Sequence, residues 1–241
     1  MKLHTRTVGN GSRTAALIHG ASMSTYAWDD FIPYLLKHDL TLILVDQRGH
    51  GESPRADSYR IQDFADDLVE TLPTGLDFLI GQSLGGLTAA WASERLKPKR
   101  YIGIDPALAM TPLSNLLIPL VGPVQKKMPD WMLRALGAEK NLPNSLPGVR
   151  KQWANWDQTS LRDIKRSNDA RPFPSSPPPV PSTVVLAGPS FAVRPKFADE
   201  LRANGWDVRV MHGVGHDLHR EDPAGLAAVL EDVLAPVPAK G

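Results

Sequence analysis

The 241-residue chain contains no cysteine. Disulfides, thiol nucleophiles and thiolate metal sites are therefore excluded. Charge of one sign is lacking too: 27 Lys and Arg stand against 26 Asp and Glu, a net charge of +1. Bulk charge thus supplies no attraction to nucleic acid or to an anionic membrane. Long apolar runs are missing, since no stretch of the sequence approaches the ~18 consecutive apolar residues of a membrane span. Nor does the N-terminal Met1-Lys2-Leu3-His4 stretch lead into the roughly 7–15 apolar residues of a secretory signal, so a cytoplasmic protein is expected. No glycine-rich phosphate loop follows a strand-like run, and no histidine–carboxylate spacing resembles a metal site. The expectation is a protein without cofactor or metal whose partner is a small molecule.

Proline is what the sequence has in excess, 22 residues in all, or about 9% where roughly 5% is usual. Thirteen of them fall between Pro106 and Pro181. Outside that stretch, short apolar runs alternate with helical patterns. Ala15–Ile18, Leu40–Val45, Phe78–Ile80, Tyr101–Ile104, Thr183–Ala187 and Val208–Met211 read as strands, and Leu3–Val8 as one more. Ile61, Phe64, Ala65, Leu68 and Val69 keep the spacing of an amphipathic helix. Asp222 can cap a last helix that opens on Pro223. This alternation predicts an α/β fold: a mostly parallel sheet of about seven strands with helices on both faces.

Residues 107–178 break the pattern. Pro112, Pro119, Pro123, Pro129, Pro143 and Pro147 interrupt short helical segments such as Trp131–Leu136. A structureless loop of about 70 residues is improbable in a compact domain, so an inserted helical cap is expected there. Pro172 to Pro181 then form a stiff return; the same prolines could instead serve as an SH3-type ligand. The division is 1–106 and 179–241 for the core, with 107–178 for the cap.

The chemistry concentrates at Gly81-Gln82-Ser83-Leu84-Gly85, placed between a strand and a helix. Such a G-x-S-x-G turn is tight enough to strain the serine, and its small residues admit neighbouring backbone. Ser83 would then stand at a helix start, where the dipole favours developing negative charge. A serine hydroxyl needs an imidazole to take its proton. Of the seven histidines, His216 lies in the loop after the last strand and is the candidate. His4 and His38 read as solvated, His19 and His50 as structural, and His212 and His219 as flanking residues.

Together the segments Leu17–Ser22, Asp46-Gln47-Arg48-Gly49-His50-Gly51-Glu52-Ser53, the serine turn and Gly213-Val214-Gly215-His216 resemble the α/β-hydrolase superfamily. The resemblance covers almost the whole chain apart from the cap. It implies oxyanion donors at Ala21 and Leu84, and substrate contacts at Ser22, Trp28 and Gln82. It also exposes a departure. In Gly188-Pro189-Ser190-Phe191-Ala192-Val193-Arg194-Pro195, Phe191 occupies the position of the family's usual aspartate. Asp105, at the end of the strand before the cap, is the substitute that can reach His216; Asp217 adjoins the histidine but should diverge from it. Trp131, Trp153 and Trp156 could roof a substrate site or pack the cap. The expected activity is serine-dependent cleavage of a carboxylic ester of a small or medium apolar substrate. C–C bond hydrolysis, lactone opening and acyl transfer share these motifs, and a non-catalytic binding homologue is the alternative that Phe191 motivates.

Overall fold

A computed structural model describes residues 1–114, 116, 127–135 and 153–235. Seven strands form one sheet: β1 Thr5–Val8, β2 Arg13–Ile18, β3 Leu40–Val45, β4 Phe78–Gln82, β5 Arg100–Ile104, β6 Ser182–Gly188 and β7 Asp207–His212. Their order is β1-β3-β2-β4-β5-β6-β7. Only β1 runs antiparallel, against β3, and the other neighbours are parallel. The predicted seven-stranded α/β class is the one observed.

Parallel strands are covered on both faces, and alternate side chains sort accordingly. From β2, Ala16 and Ile18 join one core with Phe64, Leu68, Leu87 and Leu201; Ala15 and Leu17 join the other with Trp28, Leu35, Leu226 and Leu230. The α-helices among the described residues are α1 Ile32–Leu35, α2 Ile61–Thr71, α3 Leu84–Leu96, α4 Asp130–Ala135, α5 Ser160–Ala170, α6 Pro195–Ala203, α7 Leu218–Glu221 and α8 Pro223–Leu234. As its sequence predicts, α8 starts at Pro223, and the Asp222 carboxylate accepts the Gly225 N–H at 2.9 Å. Helix α3 is buried almost all round, which its Gly- and Ala-rich sequence permits.

Between β5 and β6, α4 covers the described part of the Trp131–Leu136 prediction and Trp131 is exposed. The helical breaks expected around Pro119, Pro123, Pro143 and Pro147 lie outside the described residues. The return leg packs on the core: Phe173 is buried between Trp91 and Trp206, and the Trp206 indole donates to the Ser176 carbonyl at 2.9 Å. Trp156 is buried as well and stacks on His50, with ring centroids 6.0 Å apart. It therefore packs the segment before α5 onto the core. Among the described residues, no helix is long and apolar enough to cross a membrane.

The turn after β3 is fixed to α2 by a buried ion pair. Arg48 Nε and Nη2 donate to the two Asp67 carboxylate oxygens at 2.6 and 2.8 Å, and Nη1 donates to the Ser58 carbonyl at 2.7 Å. Removing one member strands the other charge in the interior. Asp67→Ala should cost roughly 3–5 kcal/mol of unfolding free energy in urea titration; a loss below about 1 kcal/mol, as for a surface pair, would contradict this reading.

Candidate active site

Ser83 links β4 to α3 with φ 51° and ψ −117°, a region that non-glycine residues adopt only when the surroundings impose it. Here the surroundings do so. Its N–H donates to the Ile104 carbonyl at 3.1 Å, while its own carbonyl accepts from Leu87 at 3.1 Å and Ala107 at 3.0 Å. Side chains are excluded nearby: a Cβ on Gly81 would collide with the Gly85 carbonyl, and one on Gly85 with the Ile18 and His19 carbonyls. The glycines of the motif are thus required by close backbone approach. Leu84 opens α3, so its N–H is among those the helix itself leaves unused. A cavity of about 50 Å³ opens beside Ser83 and is lined by Ala21, Leu84, Leu87, Met110, Leu161 and Ile164 among others.

His216 sits in the loop between β7 and α7, with its Nδ1 2.6 Å from Asp105 Oδ2. Asp105 has no solvent exposure, and its other oxygen accepts the Ala187 N–H at 3.2 Å. A carboxylate on Nδ1 favours the tautomer whose proton is on that nitrogen, leaving Nε2 as the acceptor. Glu221 fixes the loop from below, accepting the Gly215 N–H at 2.8 Å and the Asp217 N–H at 3.2 Å. The Phe191 ring lies against His216, with centroids 4.4 Å apart and planes tilted by 44°. The residue standing in the usual acid's place thus covers the imidazole. It is held there by the segment after β5, where the Thr111 N–H donates to the Phe191 carbonyl at 3.0 Å and the Ala109 N–H to that of Ala192 at 3.1 Å.

Several expectations need correction. Trp28 has no solvent exposure and packs against His219, 4.6 Å between ring centroids, so it belongs to the core beneath the site and not to a substrate wall. Gln82 is also fully buried; its amide donates to the His216 carbonyl at 3.3 Å and to Asp217 Oδ1 at 3.2 Å. It ties the histidine loop to β4 and is not among the residues lining the cavity. Ser22 is partly exposed in a left-handed conformation, φ 62°, next to Ala21 and outside the set lining the cavity. Asp217 does diverge from the imidazole toward Gln82, and burial pushes its carboxyl up. His38 is buried, not solvated, and His4 bonds Asp46 Oδ2 through Nδ1 at 2.9 Å. The signal for Gln82 was within reach, since a buried residue beside the nucleophile must satisfy its amide somewhere. Glu221 and the Phe191 contact depend on chain crossings that local sequence does not encode. Among the described residues, no three His, Asp or Glu side chains converge as a metal site.

The remaining buried histidines are structural. His19 contacts the Gly20 carbonyl through Nδ1 at 2.7 Å and accepts the Gln47 N–H on Nε2 at 3.1 Å. Burial lowers the pKa of His19 and His219, and takes His50 down to about 3, with His19 the next cause. All three folded values lie below the free value of 6.5. Their stabilising contribution is therefore complete above pH 6.5 and is lost as the pH falls toward the folded values, about 3 for His50. Unfolding free energy should drop by up to ~1.4 kcal/mol per pH unit for each histidine. Urea titrations from about pH 7.5 to about pH 4.5 measure the slope, and His50→Gln should remove one proton from it. An unchanged slope in that variant would exclude His50 from the linkage.

Comparison with known proteins places these features in context. The model of the Alpha/beta hydrolase family matches residues 16–229. Over 95 residues the chain is 33% identical to a pimeloyl-(acyl-carrier protein) methyl ester esterase of Sodalis glossinidius, covering 39% of this chain and 36% of that protein. Over 94 residues it is 33% identical to epoxide hydrolase B of Mycobacterium tuberculosis, covering 36% and 26%. The chain thus spans about a third of the length of the curated relatives it matches. Among solved structures, the enol-lactonase from Burkholderia xenovorans superposes with a TM-score of 0.76 at 19% identity, over 96% of both chains, which is a likeness of fold. Because the family model runs from β2 into α8, across sheet, serine turn and histidine loop, the chain belongs to the alpha/beta hydrolase family.

Proposed function

We propose that the protein is a serine hydrolase that cleaves a carboxylic ester of a small or medium apolar substrate in the cytoplasm. The contact that carries the reading is the 2.6 Å pairing of His216 Nδ1 with the buried Asp105 carboxylate. Asp105 follows Ile104, whose carbonyl accepts the N–H of Ser83, a serine held in strained geometry at φ 51°. Family membership and the esterase named among the relatives support the same chemistry.

In this reading Ser83 Oγ attacks the ester carbonyl while His216 Nε2 takes its proton. Asp105 holds the imidazole in the required tautomer and stabilises the imidazolium that forms. The Ala21 and Leu84 N–H groups hold the oxyanion. His216 returns the proton to the leaving alcohol, and water, activated by the same imidazole, then releases the acid. Residues 107–178 act as a cap over the core formed by 1–106 and 179–241.

A fluorophosphonate probe should label Ser83, and Ser83→Ala should abolish both labelling and esterase turnover. Asp105→Asn should lower kcat by roughly 10⁴-fold, through the wrong imidazole tautomer, while leaving the fold intact by circular dichroism. Turnover of Asp105→Asn within about tenfold of wild type would sink the assignment of the acid.

A further inference from the structure

The cavity beside Ser83 is small, and its size bears on which esters the site accepts. At about 50 Å³, on a scale where one water takes roughly 10–15 Å³, it has room for about four non-hydrogen atoms. Its lining around Ser83 is apolar and includes Leu87, Met110 and, from α5, Leu161 and Ile164. Lys165 and Asn168 come next on the same helical face, at spacings of three and four residues from Leu161 onward. Lys165 is paired with Asp169. A longer apolar chain would meet this polar edge and would have to desolvate it.

The wall is fixed to the core, so its position sets a limit on size. Ser167 of α5 accepts the Ile61 N–H of α2 at 3.0 Å. Just before α5, Asp157 donates its N–H to the Gly49 carbonyl at 2.8 Å and accepts the Tyr59 hydroxyl at 2.9 Å. Leu161 is only 4% exposed.

Which half of the ester enters follows from the proton. The leaving alcohol must lie near His216, because that imidazole protonates it. His216 is absent from the cavity walls, whereas Ser83, Ala21 and Leu84 belong to them. The cavity is therefore on the acyl side. Resting on the ester-hydrolase reading above, we propose that α5 is a fixed selectivity wall, with Leu161 and Ile164 limiting the acyl group to short chains, acetyl to about pentanoyl.

The test is a series of p-nitrophenyl esters from acetyl to dodecanoyl, beside a series of acetates of lengthening alcohols. Each methylene that enters the cavity should raise kcat/KM by about fourfold. The octanoyl ester should then fall about tenfold below the butanoyl ester. Ile164→Ala, at a partly exposed position, should raise the octanoyl-to-butanoyl ratio about tenfold. Met110→Ala, at another lining position outside α5, provides a second enlargement should Ile164→Ala fail to fold. Wild-type enzyme that cleaves octanoyl as well as butanoyl esters overturns the proposal. So does a folded enlargement that leaves the ratio unchanged, or a change confined to the alcohol series. A protein that labels on Ser83 yet shows a flat acyl profile sinks the wall alone. Absence of both labelling and hydrolysis sinks the ester reading with it.

Discussion

A carboxylate removed from water is costly unless its oxygens are satisfied, and Asp105 meets that condition at the junction where the site is assembled. One oxygen takes the Ala187 N–H and the other faces His216 Nδ1. Its own N–H donates to the Val185 carbonyl at 2.8 Å, and its backbone is left-handed at φ 39°. Ile104, just before it, and Ala107, two residues after it, both hydrogen-bond the backbone of Ser83. Serine and acid are therefore fixed by one piece of backbone, at the adjoining carboxyl ends of β4 and β5. In open α/β sheets this is where ligands bind. Only the histidine arrives from a distance, and Gln82 and Glu221 hold its loop.

The second support lies in the chain between β5 and β6. Residues 153–170 are fastened to the core through Trp156, Asp157 and Ser167, and the residues after β5 pair with the loop that carries Phe191. These segments thus supply a cavity wall through α5 and keep an aromatic ring on the imidazole. Buried neutral histidines line the seam: His19 and His50 lie 5.2 Å apart, and the low pKa of His50 keeps charge out of it.

Much of this was legible in the sequence, for identifiable reasons. Buried parallel strands are continuous apolar runs, so Leu40–Val45 was read to the residue and the others to within two. The serine turn was legible because close backbone approach allows only glycine at Gly81 and Gly85. Asp105 emerged from an absence, since Phe191 removed the usual acid. What stayed hidden were directions of side chains. Trp28 and Gln82 lie in segments near Ala21 or Ser83, yet Trp28 packs in the core and Gln82 turns to the loop that carries His216, and the burial of His38 depends on packing beyond its own segment. Sequence spacing places a residue on an element, but only the packed neighbours decide which way a long side chain turns.

The paired Asp105 carboxylate is the point on which the account stands, and proton NMR reads it directly. A far-downfield Nδ1–H resonance assigned to His216 should be present in the wild type and absent in Asp105→Asn. A wild-type spectrum without that resonance, or its persistence in Asp105→Asn, would contradict the account.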